Sequence, residues 1–271
     1  IEKIKINLKN NETYQIFFIM YGYKKGTFLS MKYDEMNAHC NEKIKTYVED
    51  ISLNSLPKWV DIFNLILINH KNRFSEFDGF NELLYQLSFN KPNIGLILLK
   101  EYESLISPFI RTLIRGLWKS KEKNTLKKEL LNLIKAKKYC QEIAWVLQRI
   151  DDYDAQMAQY IFSALKDSDD MPALNQLLAS LLCSNNKTNS TKLLFNKVLS
   201  KLTHHGETGW IKYSWSKDSS VIESLDEKGI SLIFKNLLMA PEIDYEIEHF
   251  LLPIAIKSPL SIIKFFRERI N

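Results

Sequence analysis

The 271 residues are 45% hydrophobic and 25% charged, with a net charge of +5. That is the composition of an ordered globular chain, and only 8 Gly and 7 Pro argue against a loop-rich all-β fold. Three widely spaced cysteines, Cys40, Cys140 and Cys183, without a CxxC, argue against a disulfide framework and for free thiols in a reducing cytoplasm. The longest apolar run, Ile62 to Ile68, falls short of the ~20 residues of a membrane span. No signal-peptide order is present at the N-terminus. The chain opens on Ile1 rather than Met, so a piece of a longer cytoplasmic protein is expected.

Residues 1–35 read two ways. Ile4, Ile6 and Leu8 alternate with polar residues at strand period, Tyr14 to Tyr21 suits a strand or a helix, and Thr27 to Tyr33 could add a third strand. This is a small β-hairpin element or the end of an upstream helical unit. From residue 36 to 203 helical period dominates. Helices are expected over 36–52, from Ser55-Leu56-Pro57 through Ile68, along the stripe Phe77, Phe80, Leu84 and Leu87, around Ile94 to Leu98, and from Ile106 to Leu117 with Pro108 in the first turn. Because Ile62 to Ile68 is apolar on nearly all sides, that helix is expected to be central and covered.

A basic helix follows, over about Thr125 to Lys138. The stretch Arg111–Lys138 holds ten basic and two acidic residues, a local excess larger than the net charge of the chain. Its candidate nucleic-acid contacts are Arg111, Arg115, Lys119, Lys127, Lys128 and Lys135. The competing reading is the solvated back of a helix whose inward positions are Leu126, Leu130, Leu133 and Ile134.

Residues 139–185 hold three amphipathic helices joined by short acidic turns. Asp151 to Asp154 and Asp167 to Asp170 offer N-cap oxygens, and Pro172 fits a first turn. A further helix carries Leu194, Phe195, Val198, Leu199 and Leu202. Residues 204–220 read as a long aromatic loop, with His204-His205 and then Trp210, Tyr213 and Trp215 around Lys212. Aromatics with a basic neighbour suit a protein hot spot, which makes Trp210, Tyr213 and Trp215 the candidate protein-binding residues. The alternative is that these rings fold back into a groove between helices. Helical period resumes over 221–271, with Pro253 expected to kink or end its helix. The likeness of Ile150-Asp151-Asp152-Tyr153-Asp154 to Ile243-Asp244-Tyr245-Glu246 is the one hint of an internal repeat.

The expected fold is therefore all-α: an α-solenoid of stacked antiparallel helix pairs of HEAT/TPR-like kind, with the β element confined to the start. No phosphate loop, GxGxxG, HExxH or nucleophile–His–acid arrangement occurs, so no catalytic, cofactor or metal site is expected. The adjacent His39-Cys40 diverge on a helix, and the acidic turns lack the Gly and Glu of a calcium loop.

One resemblance adds to this. The run 237–270, through Ile243-Asp244-Tyr245, Pro259 and Phe265-Phe266-Arg267, resembles the helical arrays at the C-termini of large bacterial antiviral proteins: STAND-class NTPases and some NAD-consuming defence proteins. The resemblance implies a non-catalytic sensor region whose partner is a phage protein, or the missing domains of its own chain. It carries no individual site residue. The other functional expectation is a nucleic-acid-binding array using the basic 111–138 surface.

Overall fold

A computed structural model describes residues 11–21, 33–68, 77–183, 188–213 and 225–270, and every regular element among them is helical. Tyr14 to Tyr21 belongs to a helix, while the remaining positions of the expected β-hairpin, 1–10 and 22–32, lie outside the described residues. None of the described helices is long and apolar enough to cross a membrane. The chain divides into two compact units, Ile1–Lys127 and Lys128–Asn271. That division falls inside the stretch 36–203 that the sequence reads as one array.

The first unit contains α1 (Glu12–Tyr21), α2 (Tyr33–Asp50), α3 (Leu56–Ile68), α4 (Asp78–Asn90), α5 (Pro92–Glu101), the single turn α6 (Glu103–Ile106), α7 (Ile110–Lys119) and the start of α8 (Lys123–Lys135). Its centre is α4, which packs against α1, α2, α5 and α7. The expectation that α3 is central is corrected here. One face of α3 buries Trp59, Phe63, Ile66 and Leu67, but Leu65 and Ile68 are exposed. A second correction concerns Pro108. It does not open one long helix from Ile106. It sits in a 3₁₀ turn, Ser107–Phe109, that separates α6 from α7.

Small residues let the other helices close on α4. A β-carbon placed on Gly116 of α7 would lie 2.0 Å from Ser88 Oγ and 2.6 Å from the Tyr85 carbonyl oxygen. One on Gly79 of α4 would lie 1.9 Å from the carbonyl oxygen of Ile19 in α1. Ser88 is fully buried and turns its hydroxyl back onto its own helix, donating to the Leu84 carbonyl at 2.6 Å. Around this close contact the rings of Phe63, Phe80, Phe109 and Phe77 meet edge to face, with centroids 4.9, 4.7 and 6.4 Å apart in succession. That arrangement sets ring edges against ring faces, as their quadrupoles favour.

The second unit holds most of α8, then α9 (Cys140–Arg149), α10 (Ala155–Leu165), α11 (Met171–Leu182), α12 (Asn189–His204), the single turn α13 (Trp210–Tyr213), α14 (Glu227–Leu237), α15 (Tyr245–Lys257) and α16 (Pro259–Ile270). Lys137 and Tyr139 take left-handed backbone, both at φ 56°, where the chain turns from α8 into α9. Helices pack on their next-but-one neighbours in the series α9–α11–α13–α15 and α10–α12–α14. Pro253 lies inside α15, which runs on to Lys257.

Several helix N-termini, most of them in the second unit, are closed by side chains, as the polar turns suggest. Asp154, Asp170, Asp226 and Asp244 accept from the amides of Met157, Ala173, Gly229 and Ile247 at 2.8–3.1 Å. Thr188 does the same for Thr191 at 3.3 Å. The repeat-like pair resolves into two different local structures. Asp154 caps at the fourth position after Ile150, whereas Asp244 caps directly after Ile243. At C-terminal ends, basic residues reach over from elsewhere in the chain. Lys91 donates to the carbonyls of Glu49 and Ile51, both at 2.7 Å, Lys201 to that of Lys166, and Arg269 to those of Leu237 and Ala240.

Gly116→Ala should lower the unfolding free energy by about 1–3 kcal/mol through forced separation of α4 and α7, despite the gain in helix propensity. Gly209→Ala is the control, because its added carbon would have nothing nearer than 3.5 Å. Denaturant melts of both variants check this.

Candidate functional site

As far as Tyr213, where the described residues of the aromatic segment end, it is not one long loop. His204 ends α12, His205 is its C-cap, and Trp210 opens α13. Trp210 is 0% exposed. Its indole N–H donates to Asn236 Oδ1 at 2.8 Å, and its ring stands edge-on to Phe250 at 5.0 Å. Asn236, fully buried, donates in turn to Thr203 Oγ1 and the Glu207 carbonyl, both at 3.0 Å. Trp210 is thus a core residue that ties α13 to α14, and its place as a surface contact is corrected. Tyr213 is 40% exposed. Its carbonyl accepts from Gln148 Nε2 at 2.6 Å, inside a buried network in which Gln176 Nε2 donates to Gln148 Oε1 at 2.7 Å. Trp215 lies outside the described residues.

The basic stretch divides between the two units: Arg111, Arg115, Lys119 and Lys127 fall in the first, Lys128 and Lys135 in the second. Several of its cations already lie against aromatic rings. The Arg115 guanidinium is 4.7 Å from the Tyr85 ring centre, and the ammoniums of Lys123 and Lys127 are 4.9 and 5.3 Å from that of the buried Trp118. Leu126, Leu130 and Ile134 are buried beneath, while Leu133 is only partly covered. Lys119, Lys128 and Lys135 remain exposed on α7 and α8.

A third surface has a more developed shape. Between α12 and α14, lined also by Phe162 of α10, lies an open groove of about 650 Å³. Leu193, Asn196, Lys197 and Ser200 line it from α12, and Lys228, Ser231, Leu232 and Lys235 from α14. Both walls follow the same i, i+3, i+4, i+7 spacing, so each is one continuous helix face. Leu193 is 57% exposed although it faces this groove. Asn196 Oδ1 is buried there without a hydrogen-bond donor. Among the described residues Lys197, Lys228 and Lys235 make no ion pair or hydrogen bond, and no acidic side chain lines the groove. Each stripe is visible in the sequence. The pairing of the two is not, because α13 and its flanks separate them along the chain.

Another exposed apolar stripe occupies α15 and α16, where Ile256 and Leu260 are 79% and 80% exposed beside Leu252, Ile263 and Ile270. Among the described residues no three His, Cys, Asp or Glu side chains come together to hold a metal ion. Cys140 is buried, and desolvation, reinforced by Asp170 and Glu142, pushes its thiol up to about 11. Burial also raises Cys40. Both are thereby held as neutral thiols, the opposite of an activated nucleophile. Compared with known protein families, curated proteins and solved structures, the chain matches none.

Two predictions follow from these placements. Trp210→Ala should cost about 3–5 kcal/mol, from the cavity and the orphaned Asn236, whereas Tyr213→Ala should stay within about 1 kcal/mol; thermal melts compare them. For Cys140, a folded-state pKa of about 11 against 9.0 when exposed favours the folded chain fully below pH 9. That contribution should be lost progressively between pH 9 and about 11, amounting to about 2–3 kcal/mol. Cys140→Ala should flatten this part of a stability–pH curve measured by denaturant titration.

Proposed function

We propose that this chain is a non-catalytic helical-repeat recognition module of a cytoplasmic protein, and that it receives a segment of another polypeptide in the α12/α14 groove. The solenoid part of the reading is supported by the two next-but-one packing series of the second unit, the pattern that stacked helix pairs produce. The observation that carries the binding part is the groove itself: two parallel-spaced helix faces leave apolar side chains accessible beside polar and cationic ones. Apolar anchors in a concave site with a polar rim are the usual composition of a peptide-binding surface. The resemblance of 237–270 to antiviral sensor arrays extends the proposal, making the bound polypeptide a phage protein.

A random-peptide display library selected on the whole chain tests the groove. Selected peptides should lose about tenfold or more in affinity, a little over 1 kcal/mol, on Leu193→Asp or Leu232→Asp. Peptides that bind both variants as tightly as the parent would place recognition elsewhere and overturn the proposal.

A further inference from the structure

Resting on the groove reading, we infer that the segment bound between α12 and α14 is acidic, with a large apolar side chain at its centre and carboxylates to either side. The charge arrangement carries this. Three ammoniums border the groove, Lys197 on one wall and Lys228 and Lys235 on the other, with no acidic residue among the described side chains that line it. Three other cations of the second unit do have structural partners: Lys201 closes α10, Arg269 closes α14, and Lys257 donates to the Leu225 carbonyl. The groove cations have no such role among the described residues. They therefore select by charge whatever enters, favouring anions and repelling basic segments.

The spacing narrows the chemistry. Lys228 and Lys235 stand seven residues apart on α14, about 10 Å along its axis, with Leu232 between them. A bound segment meets both only if its negative charges are separated by a similar distance, with an apolar group between them over Phe162, Leu193 and Leu232. Ser200 and Ser231, both exposed at the rim, supply hydroxyls that donate to carboxylate oxygens. A nucleic-acid strand would satisfy the lysines. It would leave the apolar lining without a matching partner, since among the described residues no aromatic side chain other than Phe162 lines the groove on which bases could stack.

Fluorescence anisotropy with the full chain distinguishes these cases. The probes are a synthetic peptide with a central Leu-Leu flanked by Asp and Glu, the same peptide with Asn and Gln, the same with Lys, and an oligothymidylate. The acidic peptide should bind about tenfold tighter than the neutral one at low salt, an advantage that shrinks as salt is added. The charge-reversed chain K197E/K228E/K235E, whose folding is checked by circular dichroism, should lose the acidic peptide and gain the basic one. Equal binding of the acidic and neutral peptides, sensitive to Leu193→Asp, would overturn the acidic assignment and leave the groove reading intact. Tighter binding of the oligothymidylate than of any peptide would overturn the acidic-peptide assignment in favour of a nucleic-acid ligand. No binding of any probe that depends on Leu193 would overturn both readings.

Discussion

Every helix end leaves backbone groups without partners inside the helix, and in a chain made of short helices this constraint recurs every dozen residues. At several ends here it is met by charged side chains, although α4, α5, α7 and α9 have no side-chain N-cap. Aspartates cap N-terminal ends within their own segment, at 154, 170, 226 and 244. Cations close C-terminal ends from a distant segment, as Lys91, Lys201 and Arg269 do. A cation of this second kind fixes tertiary structure, because it joins two segments while satisfying carbonyls that water would otherwise have to reach. Against that background the lysines of the α12/α14 groove differ, having no carbonyl or carboxylate among the described residues to hold.

The two units solve core formation differently. In the first, Gly79, Gly116 and Ser88 bring backbones so close that the core is organised about one helix, α4, with edge-to-face rings filling the remaining space. In the second, the close contacts are fewer, and buried polar side chains carry specificity. Gln148 and Gln176 join α9 to α11, and Asn236 joins Trp210 to α12. Such networks are worth keeping only when their members are paired, and the Asn236 amide shows the requirement met: its oxygen accepts once and its nitrogen donates twice.

Much of the helical pattern was legible from periodicity and caps. Leu194, Phe195, Val198, Leu199 and Leu202 are buried on one face of α12, and Asp154, Asp170 and Pro172 stand where capping chemistry places them. The choice of central helix was not legible, because hydrophobicity counts favour the aliphatic run of α3, whereas close approach depends on Gly and Ser, which add nothing to such counts. Trp210 was misplaced for a related reason. A sequence shows that a ring stands beside polar residues, but not that a distant amide, Asn236, supplies the acceptor that makes its burial favourable. The groove was missed because density of charge drew attention to 111–138, where Arg115, Lys123 and Lys127 already lie on Tyr85 and Trp118. Three lysines on two helices make no run in the sequence, and only the packing of α12 on α14 assembles them.

The central claim is that Lys197, Lys228 and Lys235 of the groove are left for a partner, whereas Lys91 and Lys201 close helix ends. Quantitative acylation of the native protein by an amine-reactive ester, read residue by residue by mass spectrometry, tests it most directly. The account predicts fast modification of Lys197, Lys228 and Lys235, slow modification of Lys91 and Lys201, and protection of the first three when an acidic peptide is present. Equal rates for both groups, or groove lysines already protected in the free chain, would contradict it.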